Sequence, residues 1–304
     1  MEVRATPHKK LQSAMEYLMT YGWAILVIAV VLGALYSLGV FNSTNFAPKA
    51  PPGSCQVFRP NGPGTTFDLN LMGVCNGELP EYVANNGKNL VYMSTPAPWS
   101  NRAFTLTTWV LYEPGFSFCG YANGLVNNTS SYVPRGGIVL ACSSSPRPYA
   151  EMINASGSNI GVGIPAPLNY NTWYFLALTF NASVSTNNFI FYVDNTQYNT
   201  TISQAHSNTF TFTPGSYYFG EPGYQGSVVD AEVANNQVYN TTLSANEIKA
   251  LYLEGIGGAP IDLQNLVGWW PLNGNANDYS GNGNNGQATG VTYVSNWYSG
   301  YTPP

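Results

Sequence analysis

The acidic and histidine residues of this chain lack the spacings that acid–base catalysis requires. Hydrolysis of a glycosidic bond uses a pair of carboxylates a few ångströms apart, and the nearest sequence pattern to such a pair is Asp-Ala-Glu at residues 230–232. The two histidines, His8 and His206, do not form a convincing catalytic pair, and His8 lies in a basic N-terminal segment. The sequence also has no Gly-rich phosphate loop after a strand. We therefore expect a binding or structural protein and not an enzyme.

Four cysteines form a second group with possible chemistry: Cys55, Cys75, Cys119 and Cys142. Their spacings fit neither a CxxC metal site nor a redox pair, and an even number predicts disulfides in an oxidising compartment. Of the three possible connectivities we favour Cys55 with Cys75 and Cys119 with Cys142, because each closes a short local loop. Each disulfide would stabilise the fold by roughly 2–4 kcal/mol.

Several asparagines stand in Asn-x-Ser/Thr sequons and are candidates for glycosylation. In an Asn-rich chain some sequons arise by chance, but glycans would shield a surface that is poor in charge and rich in aromatic residues. The candidates are Asn42, Asn127, Asn128, Asn154, Asn181, Asn199 and Asn240.

Composition narrows the class of protein. Charged residues make 8% of the chain and aromatic residues 14%, and the formal net charge is -5. No basic run with interleaved aromatic residues is present to neutralise phosphates, so we do not expect nucleic acid as a partner. The abundance of Gly, Asn and Pro beside aromatic residues favours β structure with many loops.

The N-terminal region contains a long apolar run over residues 17–41, with no charge between Glu16 and Lys49. A run of this length can cross a bilayer, and it is apolar on every face, as expected of a helix in lipid or in an all-helical core. The basic residues before it place the first ten residues in the cytoplasm and everything after Phe41 outside. We therefore expect a cell-surface, extracellular location.

The sequence KKLQSAMEYLMTYGWAIL at residues 9–26 resembles the class III signal of archaeal type IV pilins. The resemblance implies that a prepilin peptidase cuts between Leu11 and Gln12 and leaves the hydrophobic segment on the mature chain. Glu16 then becomes the fifth mature residue. Its carboxylate, which is costly in an apolar environment, would pair with the new α-amine of Gln12 on a neighbouring copy and set the register of a filament.

Two other interpretations of the N-terminus stay open: a plain signal anchor that holds one domain at the membrane, and a cleaved secretory signal. On the pilin interpretation the chain comprises a basic leader at 1–11, a hydrophobic helix at 12–41, a Pro-rich linker at 42–54 and an ectodomain at 55–304.

The ectodomain contains short runs that are rich in β-branched and aromatic residues and separated by turn formers. We predict strands at AFTLTTWVLY (103–112), TWYFLALTF (172–180), NFIFYVDN (188–195) and SYYFG (216–220), with a hairpin turn at Asp194-Asn195. One helix is predicted in TLSANEIKALYLEG, where Ser244 and Glu247 form a capping box and Gly255 ends the helix.

The order of these segments resembles the LamG, or concanavalin A-like lectin, jelly roll over residues 81–253. The motifs include a strand ending in Trp-Val, an Asn-Thr-Trp-Tyr turn, a Tyr-Val-Asp hairpin and a closing YNTTLSANEI helix, and EYVANNGKNLVYM (81–93) resembles the family's second strand. The fold class that follows is mainly β: a long hydrophobic N-terminal α-helix followed by an antiparallel sandwich.

The family's first strand is missing from the front of this domain. Its motif occurs instead after the closing helix, as GWWPLNGNANDYSGNGNNG at 268–286. We expect a circular permutation in which residues 267–294 fill the vacant strand position, since jelly-roll termini lie close together. Two alternatives are that this segment fills the gap in a neighbouring copy, or that it begins a broken second repeat.

The resemblance also implies ligands. Asp278 matches a loop acid that binds calcium in many LamG-like domains, and Asp230 is the candidate second acid, although the pattern around it departs from the family. A loop held by Asx turns is the alternative role for this segment. Carbohydrate is an expected partner, with Trp99 or Trp297 as candidates for stacking on sugars unless they are buried in the core.

Overall fold

The computed structural model describes residues 8–37, 57–58, 79–85, 102–114, 123–126, 138–142, 146–153, 159–200, 216–219 and 231–304. The chain divides into two units, residues 1–49 and residues 50–304. The predicted combination of an N-terminal helix and a mainly antiparallel β unit is confirmed.

The described part of the first unit is the helix α1 (His8–Ser37). In the uncleaved chain this helix includes residues 8–11 of the predicted leader, and the boundary at Gln12, which depends on cleavage, stays a prediction. Large apolar side chains between Met19 and Leu32 are 49–67% exposed on all sides of the helix. No helix in the described ranges combines the length and mean hydropathy that a membrane span requires.

The described strands of the second unit form three sheets. The large sheet has eight strands: β3 (Val83–Asn85), β4 (Ala103–Tyr112), β9 (Trp173–Asn181), β10 (Phe189–Val193), β11 (Thr196–Thr200), β13 (Ala231–Tyr239), β14 (Leu266–Trp270) and β15 (Thr292–Val294). The small sheet has five: β5 (Asn123–Val126), β6 (Ile138–Cys142), β7 (Pro148–Ile153), β8 (Asn159–Gly163) and β12 (Ser216–Phe219). A short parallel pair joins β1 (Val57–Phe58) to β2 (Leu79–Pro80).

Both larger sheets are antiparallel throughout the described strands. The large sheet has the order β11-β10-β9-β4-β13-β3-β15, with β14 also paired to β13, and the small sheet has the order β12-β5-β6-β7-β8. Asp194, with a φ of 52°, starts the two-residue turn that joins β10 to β11, so Val193 lies opposite Thr196. The predicted hairpin is therefore present.

The large sheet buries both of its faces. Along β4 and β9 successive side chains alternate between two apolar clusters, as the period of a strand requires. Leu176 and Leu178 belong to the cluster that also contains Ala150 of the small sheet, whereas Trp109 and Phe175 belong to the cluster on the opposite face. This explains why these strands are almost continuously apolar in sequence.

Strand β13 organises the part of the large sheet that holds the C-terminal segment. One of its edges pairs with β4, with a register shift between Ala234 and Gln237. Its other edge is shared, because Glu232 and Val233 pair with β3 while residues 236–239 pair with β14. Strand β14 thus occupies a position within this chain's own sheet.

The helix α2 (Ala245–Glu254) covers the second cluster. Ser244 caps its N-terminus in the predicted capping box with Glu247, and Gly255, with a φ of 79°, follows its last turn. Leu243 and Ile248 are both buried in the second cluster, consistent with a hydrophobic staple.

Candidate functional site

The loop at residues 271–286, which follows β14, contains the sequence-predicted acid Asp278. Its carboxylate accepts three backbone N–H groups: Oδ1 accepts from Trp269 at 3.0 Å and from Ser280 at 2.8 Å, and Oδ2 accepts from Asn284 at 2.9 Å. Hydrogen bonds to a charged acceptor are among the stronger ones in proteins. Asp278 therefore fixes the loop to the strand from which it leaves.

Asparagine side chains bind the same loop to the backbone of β14. The Nδ2 group of Asn282 donates to the carbonyl of Leu266 at 2.7 Å, and that of Asn284 donates to the carbonyl of Val267 at 2.8 Å. The Trp270 indole N–H donates in return to the Asn284 carbonyl at 2.9 Å. These bonds satisfy backbone groups that a neighbouring strand would otherwise satisfy.

An aromatic residue projects from this fixed loop. Tyr279 is 49% exposed, and its ring meets that of Trp269 edge to face with centroids 6.2 Å apart. The backbone N–H of Tyr279 donates to the Trp269 carbonyl at 2.7 Å, and its hydroxyl accepts from Nδ2 of Asn275 at 3.2 Å. We call Trp269, Asn275 and Tyr279 the aromatic loop site.

A buried polar network lies behind the aromatic loop site. The indole N–H of Trp269 donates to Oδ1 of Asn235 at 2.8 Å, and Nδ2 of Asn235 donates to the carbonyl of Gly258 at 2.8 Å. Gln237 donates to the same Asn235 oxygen at 3.1 Å and accepts from the hydroxyl of Tyr239, whose pKa is raised by burial. The network ties β13, β14 and the connection after α2 together.

The second predicted metal ligand, Asp230, lies outside the described residues. Within the ranges that the structure describes, no group of three or more His, Cys, Asp or Glu side chains is arranged to hold a metal ion. The Asx-turn role of Asp278 is present in the structure, as its bonds to backbone amides demonstrate. Calcium binding stays a prediction.

The other predicted residues fall mostly on parts of the chain whose side chains are not described. Cys55, Cys75 and Cys119 lie outside the described residues, and Cys142 is known only as the last residue of β6. The disulfide pairing therefore stays a prediction. Leu11, Gln12 and Glu16 belong to α1, but their side chains are not described.

Three of the glycosylation candidates are described. Asn199, on β11, and Asn240, which follows β13, are exposed, whereas Asn181 is partly buried and its Oδ1 accepts from the backbone of Ser183 at 2.9 Å. The remaining candidates lie outside the described residues: Asn42, Asn127, Asn128 and Asn154. Asn199 and Asn240 are accordingly the described sequons that a glycosyltransferase would reach.

Trp297 is buried and is not available to stack on a sugar. It is 2% exposed, its indole N–H donates to the carbonyl of Pro80 at 3.1 Å, and its own carbonyl accepts from the indole of Trp173 at 2.9 Å. Trp99 lies outside the described residues. Sequence reasoning missed Tyr279, although a single tyrosine within a run of Asn and Gly is a signal for an exposed aromatic side chain.

The chain matches a known protein family over more than half of its length. Residues 85–249 match the family model of the concanavalin A-like lectin/glucanases superfamily. The chain belongs to this superfamily. A search of curated proteins finds no significant match.

Solved structures to which this chain is similar come from proteins of different kinds. A candidate carbohydrate-binding protein from Bacteroides ovatus is 17% identical with a TM-score of 0.47, over 72% of this chain and 61% of that one. A SAP-like pentraxin from Limulus polyphemus is 12% identical with a TM-score of 0.46, over 71% of this chain and 95% of that one. A Trypanosoma rangeli sialidase is 16% identical with a TM-score of 0.41, over 60% of this chain and 29% of that one. The present chain spans about three fifths of the length of the Bacteroides ovatus protein.

Proposed function

We propose that this chain is a structural subunit of an extracellular, type IV pilus-like filament that displays a lectin-like sandwich for adhesion. The observation that carries the proposal is the pairing, in one chain, of a helix that is apolar all round with a domain of a lectin-containing superfamily. Apolar side chains exposed on every side of a helix need partners on every side. Copies of the same helix in a filament core supply them.

The assembly step assigns roles to the N-terminal residues. Prepilin peptidase removes residues 1–11, and the mature helix then runs from Gln12 to Ser37, a length of roughly 39 Å. The membrane holds this helix before assembly. In the filament the Glu16 carboxylate pairs with the α-amine of Gln12 on a neighbouring copy, which offsets the cost of an acid in an apolar core.

The sandwich is the adhesive part, and its proposed ligand class is carbohydrate. We further propose that the C-terminal segment is the family's first strand in a permuted position. In support of this, the family match ends inside α2, whereas β14 follows that helix and pairs with β13 of the matched region. Residues 255–265, which begin with hydrogen-bonded turns at Gly255 and Gly258, connect α2 to β14.

The alternative function is a membrane-anchored surface lectin that does not polymerise. It is favoured by the same apolar helix, which would then contact lipid and not copies of itself. The two functions predict different material at the cell surface.

A Glu16 series separates these two functions. Material sheared from cells that express the wild-type chain is imaged by negative-stain electron microscopy beside Glu16→Ala and the matched Glu16→Asp. We expect filaments from the wild type, none or few from Glu16→Ala, and recovery in Glu16→Asp. Wild-type protein that is extracted by detergent only as single copies, with no filaments, would support the anchored lectin.

A further inference from the structure

We propose that the aromatic loop site binds a neutral saccharide, with the exposed face of Tyr279 as the surface on which a sugar ring stacks. The inference rests on the proposed carbohydrate-binding function and names where on the sandwich, and for which chemical class of glycan, that function operates.

Tyr279 is exposed and is held in one orientation. Among the described residues of the second unit, the large aromatic side chains with substantial exposure are Tyr279 at 49%, Tyr170 at 38% and Tyr298 at 38%. Tyr279 is also fixed at two points, by the edge-to-face contact with Trp269 and by the hydrogen bond from Asn275 to its hydroxyl. An aromatic face presented in this way gives the apolar C–H face of a pyranose a contact surface.

The loop is ordered by its own hydrogen bonds. The Asp278 carboxylate accepts hydrogen bonds from three backbone N–H groups. The side-chain oxygen of Asn285 in turn accepts from the Asp278 N–H at 2.9 Å. Binding therefore does not require that the loop be ordered first, which removes one of the main free-energy costs of recognising a weakly binding ligand.

The charge of the loop favours a neutral ligand. Asp278 is the only charged residue between Asn273 and Gly286, and its carboxylate is directed to backbone amides. The loop contains no Lys or Arg that would pair with a carboxylate or sulfate on an acidic sugar. Instead Asn277 and Asn285 are exposed, and amide groups are suited to the hydroxyls of a neutral sugar.

The test is a titration of the full-length chain in detergent with two panels: neutral glucose, mannose and galactose oligosaccharides, and sialylated or sulfated ones. Affinity is measured by isothermal titration calorimetry, and the intrinsic tryptophan emission, to which Trp269 and six other tryptophans contribute, is followed in parallel. We expect binding of neutral members. We expect Tyr279→Ala to weaken binding about tenfold or more, and Tyr279→Phe, which keeps the ring, to weaken it by less than threefold.

Two further variants keep the test decisive. Tyr298→Ala is the matched control, because Tyr298 is also an exposed tyrosine packed against a tryptophan, Trp297; its affinity should equal that of the wild type. Tyr279→Leu keeps apolar contact with Trp269 but has no ring, so it should lose affinity even if Tyr279→Ala disturbs the loop.

The outcomes separate this inference from the proposed function. A wild-type chain that binds no saccharide overturns both the site and the proposed carbohydrate ligand of the sandwich, and it leaves the filament function to the Glu16 series. A chain that binds saccharides equally well with Tyr279→Ala and Tyr279→Leu overturns the site and leaves the function in place. Binding restricted to the acidic panel overturns the assignment of a neutral ligand.

Discussion

The indole ring of Trp270 lies over Gly268, in the space that a Cβ at Gly268 would occupy. The ring is 0% exposed, and its N–H is satisfied by the Asn284 carbonyl. A glycine two residues before a tryptophan on the same strand is therefore what allows the larger side chain to fold back onto β14 and fill the core. The Gly-Trp-Trp sequence is a packing motif of this sandwich.

Replacing Gly268 with alanine should destabilise the protein. The added methyl group overlaps the Trp270 ring, and overpacking of this kind costs about 1–3 kcal/mol. Urea unfolding should therefore show a lower midpoint for Gly268→Ala with little change in slope. In a Trp270→Leu background the same alanine should cost clearly less. Equal costs in the two backgrounds would show that the ring is not what excludes a side chain at Gly268.

Removing the Asp278 carboxylate should loosen the loop and lower stability. Asp278→Ala leaves three backbone N–H groups without their charged acceptor, and we expect a loss of roughly 2 kcal/mol or more in the free energy of unfolding. Asp278→Asn keeps one oxygen and should lose less.

If the loop also binds calcium, as its resemblance to the family implies, added Ca²⁺ should raise the melting temperature of the wild type and not of Asp278→Ala. An unchanged melting temperature in the wild type would contradict the calcium prediction.

The stability of the sandwich should fall as pH rises from about 4 to about 6. Burial raises the pKa of the Asp194 carboxyl to about 6, and a hydrogen bond from the Phe175 N–H offsets this only in part. The folded state therefore holds a proton that the unfolded state has released across this window, so stability is greatest at the acidic end. The contribution of Asp194 is roughly 3 kcal/mol, from a shift of about two pKa units at 1.36 kcal/mol each.

Asp194→Asn tests this assignment. Asparagine tolerates the positive φ at this turn and keeps an oxygen to accept from Phe175. The variant should flatten the pH dependence between 4 and 6 and be more stable than the wild type at pH 7. Glu254→Gln, which removes an exposed carboxylate, serves as the control. A wild-type slope that survives in Asp194→Asn would assign the titration to another group.

Deleting everything after Leu253 should unfold the sandwich. The deletion removes β14, β15 and the buried side chains of Trp270, Trp297 and Tyr301, each of which belongs to one of the two apolar clusters. Loss of a single buried aromatic side chain costs roughly 3–5 kcal/mol, which is comparable with the whole stability of a domain. The truncated chain should lack cooperative unfolding and resistance to protease. A stable fragment that ends near Leu253 would contradict the role of the C-terminal segment as part of this chain's own sandwich.

Much of the large sheet could be predicted from the sequence because its strands carry local signals. The continuous apolar and β-branched runs of β4 and β9 are typical of strands that are buried on both faces. The capping box at Ser244 determined the start of α2 by hydrogen bonds between residues three apart. Such features need no knowledge of the distant parts of the chain.

The remaining features depend on contacts between distant residues. The burial of Trp297 requires Pro80, which is 217 positions away, and the bulge at Asn235 is stabilised by bonds to Trp269 and Gly258. The exposure of Tyr279 follows from how the loop folds onto β14, which is set by Asp278 and the neighbouring asparagines. Neither composition nor periodicity contains this information.

Electron microscopy of cell-surface material, with gold-labelled antibody raised against the sandwich, tests the central claim that this chain builds a filament that carries an adhesive domain outside. We predict rows of gold along thin filaments, with the label on their outer surface, and loss of those rows in Glu16→Ala cells. Label spread diffusely over the envelope of wild-type cells, with no filaments, would contradict the claim.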